Sequence, residues 1–299
     1  MFSAKILCDS IGPTGVRITT AELTFPRMIL AEYNTHGMAR RNAASSRAIP
    51  TTTLIKKIEA GPFVPEFREN QKGMQAGKVI EDEQKAKDLW LSSLKTQIDY
   101  VKQFQELNVH KQYVNRLLEP WMWVTIITTA TDWANMFYLR TDSQAEPSFQ
   151  TIAKMYWDIY STSEPKPLKY GEWHLPLIFE EDEGLDQETL CKISAARTGR
   201  VSYLTHDGRR DIQADLDLFD KLTSSGHWSP TEHVATPAKS EEMVYRLDQL
   251  IAHSWEDGYP KEFILPKSGE LGYCGPYKEW KSLRKTYSNE YITDFNGYK

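Results

Sequence analysis

The sequence predicts an α+β protein with a modest central sheet flanked by helices. A β-branched, partly alternating run occupies residues 16–25 and is typical of a strand. Apolar residues recur at short, helix-like intervals between Asp82 and Leu107, which indicates a long amphipathic helix. Because helical patterns outnumber strand patterns along the 299 residues, the α+β class is favoured.

Further helices are predicted beyond this one. They cover residues 148–159, 190–196, 212–226 and 240–255. Ser148 is suited to cap the first of them, with Phe149 and Ile152 on its inner face. Gly226 is suited to end the third, because glycine commonly follows the last turn of a helix.

Residues 161–186 differ in composition from the rest of the chain. They contain three prolines and the acidic run that begins at Glu180, which predicts a linker. The predicted organisation is a first half at residues 1–160, a linker at 161–189 and a second half at 190–299. A C-terminal extension is expected from about residue 238.

Composition excludes several classes of protein. Lys and Arg total 36 against 41 Asp and Glu, and a net charge of −5 argues against a duplex nucleic acid as the main partner. No apolar stretch approaches the roughly 18–20 residues of a membrane span, and the first residues do not resemble a secretory signal. Cys8, Cys191 and Cys274 are scattered and form no paired motif, so reduced thiols in a cytoplasmic protein without a metal site are expected.

The richest cluster of polar groups lies at residues 35–47. It combines one imidazole, three guanidinium groups, an amide and two serine hydroxyls. Such a segment offers donors to an anion from many directions, and arginine can bind phosphate oxygens through two parallel hydrogen bonds. The alternative is a solvated basic turn whose Asn and Ser side chains cap local backbone.

Two other clusters carry candidate groups. Residues 226–233 contain His227 and His233, which are predicted not to bind a metal because no further ligand follows at a usual zinc spacing. A buried, hydrogen-bonded core histidine is the alternative for His233. Asn135 and Arg140 lie about one and a half helical turns apart and can reach two ends of one ligand, although lone helical arginines more often form surface ion pairs.

These clusters resemble motifs of the flavin-dependent thymidylate synthases. The family signature is Arg-His-Arg, two variable residues, Ser, one variable residue, Asn, two variable residues, Ser, one variable residue and Arg. The segment at residues 35–47 matches it at His36, Asn42, Ser45 and Arg47. Residues 116–120 resemble the Arg-x-x-Leu-Pro element of the family, and residues 135–145 resemble its Asn-Phe-Leu-x-Leu-Arg helix with the trailing Ala and Gln.

The second half resembles two further elements of this family. Residues 195–203 resemble its Ala-Ala-Arg-Val-Ser element, and residues 226–233 resemble Gly-His-x-Ser-Pro-x-Glu-His. In the usual family member the Glu-His element precedes the signature, whereas here it follows. The chain is therefore predicted to be circularly permuted, with residues 161–186 as the new joint.

The resemblance implies a flavin-dependent thymidylate synthase-like fold and activity. The expected protein is a homotetramer that holds FAD between subunits and stacks dUMP, or a related pyrimidine nucleotide, against the flavin. NADPH and methylenetetrahydrofolate are the expected co-substrates, and dTMP is the expected product. Neither a nucleic acid nor a membrane is an expected partner.

The resemblance also implies roles for individual residues. Ser45, Arg47 and Arg140 are implied as catalytic, and the substrate-binding residues are Ser45, Ser46, Arg47, Arg116 and Arg140. The cofactor-binding residues are His36, Arg40, Arg41, Asn42, Asn135, Ser202 and His233.

The sequence departs from the signature at three positions: Arg40 stands where the family has Ser, and Thr35 and Gly37 replace arginines that help to hold the flavin phosphates. Arg40 and Arg41 are predicted to supply the missing charge. Two other interpretations stay open: a relative that adds a hydroxymethyl group to dUMP or dCMP, and a nucleotide-binding protein without catalysis. The basic, aromatic segment at residues 275–286 is expected either to contact the glutamyl tail of the folate or to cover a neighbouring subunit.

Overall fold

A computed structural model describes residues 1–202, 211–239 and 277–290. It confirms the α+β class, because a five-stranded sheet in the order β3-β4-β2-β1-β5 is flanked by helices. The strands are β1 (Ser3–Ile11), β2 (Arg17–Pro26), β3 (Arg40–Ala43), β4 (Trp123–Ala130) and β5 (Lys166–Pro167), with a separate pair formed by β6 (Ala235–Pro237) and β7 (Trp280–Ser282).

Most of the sheet is antiparallel. β1 pairs with β2, β2 with β4 and β4 with β3 in antiparallel register, while β5 adds a short parallel pair to β1. The predicted strand at residues 16–25 is confirmed as β2. β3 was not predicted, because Arg and Asn have little preference for strands. It is extended because it pairs with β4, where Arg40 lies opposite Thr129.

The longest predicted helix is confirmed. The helices are α1 (Leu30–Tyr33), α2 (Thr51–Ala60), α3 (Glu83–Glu106), α4 (Lys111–Val114), α5 (Ala134–Thr141), α6 (Pro147–Thr162), α7 (Gln187–Gly199) and α8 (Ile212–Ser224). The Asp82 side chain caps α3 by accepting a hydrogen bond from the Lys85 backbone N–H at 3.1 Å. Only the middle of its apolar stripe, such as Ile98, is buried, whereas Leu89 and Leu107 near the ends are exposed.

The predicted cap of α6 was wrong. Glu146, not Ser148, caps the helix by accepting a hydrogen bond from the Phe149 N–H at 2.7 Å, and Pro147 occupies the first turn, where its missing N–H costs nothing. The predicted helices at 190–196 and 212–226 are confirmed as α7 and α8, and Gly226 follows α8 with φ +79°. The helix predicted at 240–255 lies outside the described residues.

The two faces of the sheet are covered by different parts of the chain. On one face, Phe149 and Tyr156 of α6 pack against Ile126 of β4. On the other face, Ile127 of β4 packs against Leu177 and Val201. Residues from the predicted second half therefore complete the core of the same sheet.

The segment predicted as a linker is closely packed. It contributes β5 to the sheet, and His174 and Asp182 within it are buried. Residues 277–290, part of which were expected to reach a folate or a neighbouring subunit, pack on their own chain. Trp280 is fully buried and donates a hydrogen bond from Nε1 to the Val16 carbonyl at 3.1 Å.

Two features bear on the environment of the protein. Within the described ranges, no helix combines the length and apolar character that crossing a membrane requires. Cys8 and Cys191 are free thiols, and Cys274 lies outside the described residues.

Candidate functional site

The alternation of β3 divides the signature segment between the two faces of the sheet. Successive strand residues point to opposite faces. Arg41 lies opposite Thr128 and Arg40 opposite Thr129 in the antiparallel register. Arg41 therefore shares the face covered by α6, whereas Arg40 and Asn42 share the face covered by the second half.

On the α6 face, two candidate residues from distant motifs are in direct contact. Arg140 donates a hydrogen bond from Nε to His36 Nε2 at 3.0 Å, across 104 residues of sequence. The Arg140 guanidinium also lies over the Phe149 ring, 4.5 Å from its centroid. Its Nη1 lies 3.8 Å from the carboxylate of Glu32, a long ion pair that leaves the terminal nitrogens accessible to an anion.

His36 is held in its neutral form by these neighbours. Burial lowers its pKa first, and the positive charges of Arg140 and Arg41 lower it further. Because Nε2 accepts the bond from Arg140, the proton of the neutral ring resides on Nδ1. His36 therefore offers an N–H donor beside the guanidinium.

Arg41 is occupied by its own loop. Its Nε donates to Asn34 Oδ1 at 2.6 Å, Nη1 donates to the Ala39 carbonyl at 2.8 Å, and Nη2 donates to the Asn34 carbonyl at 2.9 Å. These partners are neutral oxygens, so the positive charge of Arg41 remains uncompensated by them. Arg41 thus shapes the loop and adds to the positive potential around His36.

A large cleft opens beside Arg140. Its volume is about 1150 Å³, and Arg140 and Glu32 lie on its wall together with the turn between α5 and α6. Residues within 63–76, between α2 and α3, also line the cleft.

On the second-half face, Asn42 and His233 contact different partners. The Asn42 amide donates to the Thr198 carbonyl at 3.5 Å, and His233 Nδ1 bonds Thr129 Oγ1 at 2.8 Å. Within the described residues, Arg40 Nε and His233 Nε2 are buried without a hydrogen-bond partner. Unpaired buried polar atoms of this kind are uncommon in folded proteins.

His233 is one end of a buried polar chain that crosses the strands on one face of the sheet. Thr129 Oγ1 bonds Thr20 Oγ1 at 2.6 Å, Thr20 bonds His174 Nε2 at 2.8 Å, and His174 Nδ1 bonds Ser10 Oγ at 2.9 Å. Burial lowers the pKa of both His174 and His233 to about 3. Both rings are therefore neutral at ordinary pH, as the alternative of a hydrogen-bonded core histidine predicted for His233.

The end of the signature segment is fixed by Glu119. Ser46 is buried and donates to Glu119 Oε1 at 3.1 Å, while Arg27 forms an ion pair with the same carboxylate at 2.8 Å. Asn115 adds a bond from its amide to the Ser46 carbonyl at 2.7 Å. Ser46 is therefore anchored in the protein interior.

The remaining candidate residues lie apart from this contact network. Arg47, Arg116 and Asn135 are exposed, and within the described residues no hydrogen bond or ion pair joins any of them to Arg140. Ser45 is half-buried, and its Oγ accepts a bond from the Arg47 N–H at 3.3 Å. The side chain of Ser202 lies outside the described part of the structure.

Sequence reasoning missed several residues of this region. Glu119 stands where the family element has Leu, so it drew no attention. Thr20 and Thr129 are buried polar residues within strands β2 and β4. Their positions among buried apolar residues were the signal that could have indicated a buried hydrogen-bonded chain. Nothing in the local sequence pointed to His174.

A metal site was not expected from the sequence. His227 is exposed and His233 is buried. In the described ranges, no group of three or more His, Cys, Asp or Glu side chains is placed to hold a metal ion.

Comparison with known proteins gives only weak similarity. No protein-family model matches the chain, and no curated protein matches it in sequence. Among solved structures, it is similar to a UMP/dUMP methylase, PolB, from Streptomyces cacaoi, in crystals with 5-Br UMP and with 5-Br dUMP. Both comparisons have a TM-score of 0.44 and 11% identity and cover 54% of this chain, with 89% and 90% of the respective PolB chains.

Proposed function

We propose that the chain is a flavin-dependent thymidylate synthase-like enzyme. It would transfer a methylene group from methylenetetrahydrofolate to dUMP and reduce it to a methyl group, giving dTMP. The observation that carries the proposal is the meeting of three motif-bearing stretches around β3. Arg140 bonds His36, Thr198 bonds Asn42, and His233 bonds the strand residue opposite Arg40.

The cleft beside Arg140 is the proposed dUMP site. A nucleoside monophosphate carries nearly two negative charges, and the terminal nitrogens of Arg140 are suited to its phosphate oxygens. The neutral His36 ring beside Arg140 adds no negative charge to oppose the phosphate. Arg47 and Arg116 are exposed, which suits a site completed by a neighbouring subunit of the proposed homotetramer.

The residues of β3 fit a flavin dinucleotide. The unpartnered Arg40 Nε supplies a cationic donor for a diphosphate, and Asn42 and His36 supply neutral hydrogen-bonding groups. Among the described strands β3 is the outermost of its sheet, so a ligand that lies across its outer edge can contact both faces. When bound, a reduced flavin supplies the hydride that completes the methyl group, and NADPH restores the reduced form.

Replacing Arg140 tests the nucleotide site. We expect Arg140→Gln to raise the Kd of dUMP roughly 10- to 100-fold, because it removes a charge-assisted hydrogen-bond donor to the phosphate. Calorimetric titration of the purified protein with dUMP measures this, with Lys57→Ala on the exposed side of α2 as the control. Unchanged affinity in Arg140→Gln would remove the cleft from the nucleotide site.

Replacing Arg40 tests the cofactor site. The wild-type protein is expected to purify with flavin absorption, and Arg40→Ala is expected to lose most of the bound flavin because the diphosphate loses its cationic donor. The ratio of absorbance near 450 nm to that at 280 nm measures occupancy. Full occupancy in Arg40→Ala, or in a double variant with Arg41→Ala, is the outcome that argues against these arginines as phosphate-binding groups.

A second candidate function is the transfer of a hydroxymethyl group to dUMP or dCMP. It is favoured by Thr35 and Gly37, which are exposed and replace two flavin-binding arginines of the family signature. This reaction adds water to the transferred methylene and needs no hydride. Mass analysis of the products from each nucleotide, with methylenetetrahydrofolate and NADPH supplied, separates the methyl product from the hydroxymethyl product.

A further inference from the structure

A hairpin formed by residues 66–80 lines part of the cleft that also holds Arg140. The Ile80 N–H donates to the Phe67 carbonyl at 3.1 Å, and the Glu69 N–H donates to the Lys78 carbonyl at 2.8 Å. Gly73 allows the chain to reverse at the tip, where φ is +109°. The sequence contained no recognised motif in this region.

The base of the hairpin is held against α3. Trp90 of α3 donates a hydrogen bond from Nε1 to the Phe63 carbonyl at 2.8 Å, and its ring contacts that of Phe67 at a centroid distance of 6.1 Å. Phe63 is itself buried. These contacts position Phe67 and Arg68 beside the cleft, whereas the residues at the tip are exposed.

The volume of the cleft exceeds what one nucleotide requires. At about 1150 Å³ it is larger than the roughly 300–1,000 Å³ of a pocket that buries one drug-sized ligand. If the nucleotide phosphate binds Arg140 on one wall, the space along the hairpin is left for a second ligand. The proposed reaction has such a ligand, the donor of the one-carbon unit.

The hairpin wall offers complementary chemistry for a ligand with a flat ring and a carboxylate. Phe67 presents an aromatic ring, and Gln71 presents an amide. Arg68 pairs with Glu66 at 2.5 Å, but the two side chains are 35% and 46% exposed. An exposed pair of this kind contributes little to stability, so Arg68 can exchange Glu66 for a ligand carboxylate at small cost.

We propose that the hairpin at residues 66–80 binds the folate co-substrate, with Phe67 against the ring system and Arg68 on a glutamyl carboxylate. The assignment rests on the proposed function, because that function supplies the ligand. It places the nucleotide and the folate on different parts of the wall of one cleft. The reacting carbon would then lie between Arg140 and the hairpin.

Direct binding tests this assignment without turnover. The probe is 5-methyltetrahydrofolate triglutamate, titrated calorimetrically into the purified protein. We expect Arg68→Ala to raise its Kd about tenfold, the loss expected for one charge-assisted contact, and to leave the Kd of dUMP unchanged. Lys78→Ala is the matched control, because Lys78 lies on the same hairpin but does not line the cleft. Thermal unfolding verifies that both variants are folded.

The outcomes separate this inference from the proposed function. A folate Kd within twofold of wild type in Arg68→Ala overturns the assignment, as does a wild-type protein that does not bind the probe. A tenfold weaker dUMP affinity in Arg68→Ala with unchanged folate affinity also overturns it and makes the hairpin part of the nucleotide site. Weaker folate binding in a protein that fails to methylate dUMP supports the hairpin assignment while contradicting the proposed activity.

Discussion

Replacing Arg197 with Met is expected to lower the free energy of unfolding by about 3–5 kcal/mol. Arg197 is buried and donates to both carboxylate oxygens of Asp182, at 2.5 and 2.9 Å, and to Asp215 at 2.8 Å. It also donates to the Leu177 carbonyl at 2.8 Å. The variant leaves Asp182 with an uncompensated charge in the protein interior, which is costly because no solvent replaces the guanidinium.

Urea denaturation of the wild type and the variant measures this loss. Lys192→Ala is the matched control, because Lys192 lies on the same helix. It forms a salt bridge with Glu188, whose side chain is largely exposed. Surface pairs of this kind contribute about 0–1 kcal/mol. Arg197 of α7 joins Asp215 of α8 and Asp182 in the segment before α7. If Arg197→Met is no less stable than Lys192→Ala, this ion-pair cluster does not hold the three segments together.

The second large effect is acid destabilisation through the buried histidines. His174 and His233 have a folded-state pKa of about 3, whereas the ordinary value is 6.5. Below pH 6.5 the unfolded chain therefore binds protons that the folded chain rejects, so stability is complete above this pH and is lost as the pH falls toward 3. Between pH 8 and 5.5, the two rings together should cost about 3 kcal/mol of unfolding free energy.

The histidine contribution can be isolated by substitution. In His233→Asn, the amide can replace Nδ1 in the bond to Thr129 but cannot titrate, so about half of the loss between pH 8 and 5.5 should disappear. His227→Asn provides the control, because His227 is exposed. An unchanged pH dependence in His233→Asn would show that the pKa of His233 is the same in the folded and unfolded protein, which contradicts the lowered value.

Periodicity predicted those elements whose own residues determine them. α3 carries an apolar stripe and an Asp82 cap within one continuous segment, so its pattern sufficed. β2 likewise carries β-branched residues that match a pleated surface. The cap of α6 was misassigned because Glu146 and Ser148 are both plausible caps, and only the backbone path decides which side chain meets the Phe149 N–H.

The candidate site was predictable in composition but not in arrangement. The motif resemblance named His36 and Arg140, which the structure joins by a direct hydrogen bond. It gave no sign that Arg40 and Arg41 would point to opposite faces, because the strand at β3 was not expected. The exposure of Arg47 and Arg116 was equally invisible in the sequence.

By itself, the sequence determined the class of fold, several helices, one strand and the residue types available for an anionic ligand. The tertiary structure alone decided which of those residues meet. β4 imposes the extended pairing on β3, and this pairing separates Arg40 from Arg41. His174 and His233 are far apart in sequence, and both belong to one hydrogen-bonded chain that crosses the strands of the sheet. Local sequence patterns reflect the conformational preferences of neighbouring residues. These contacts depend instead on backbone pairing and burial between segments more than a hundred residues apart.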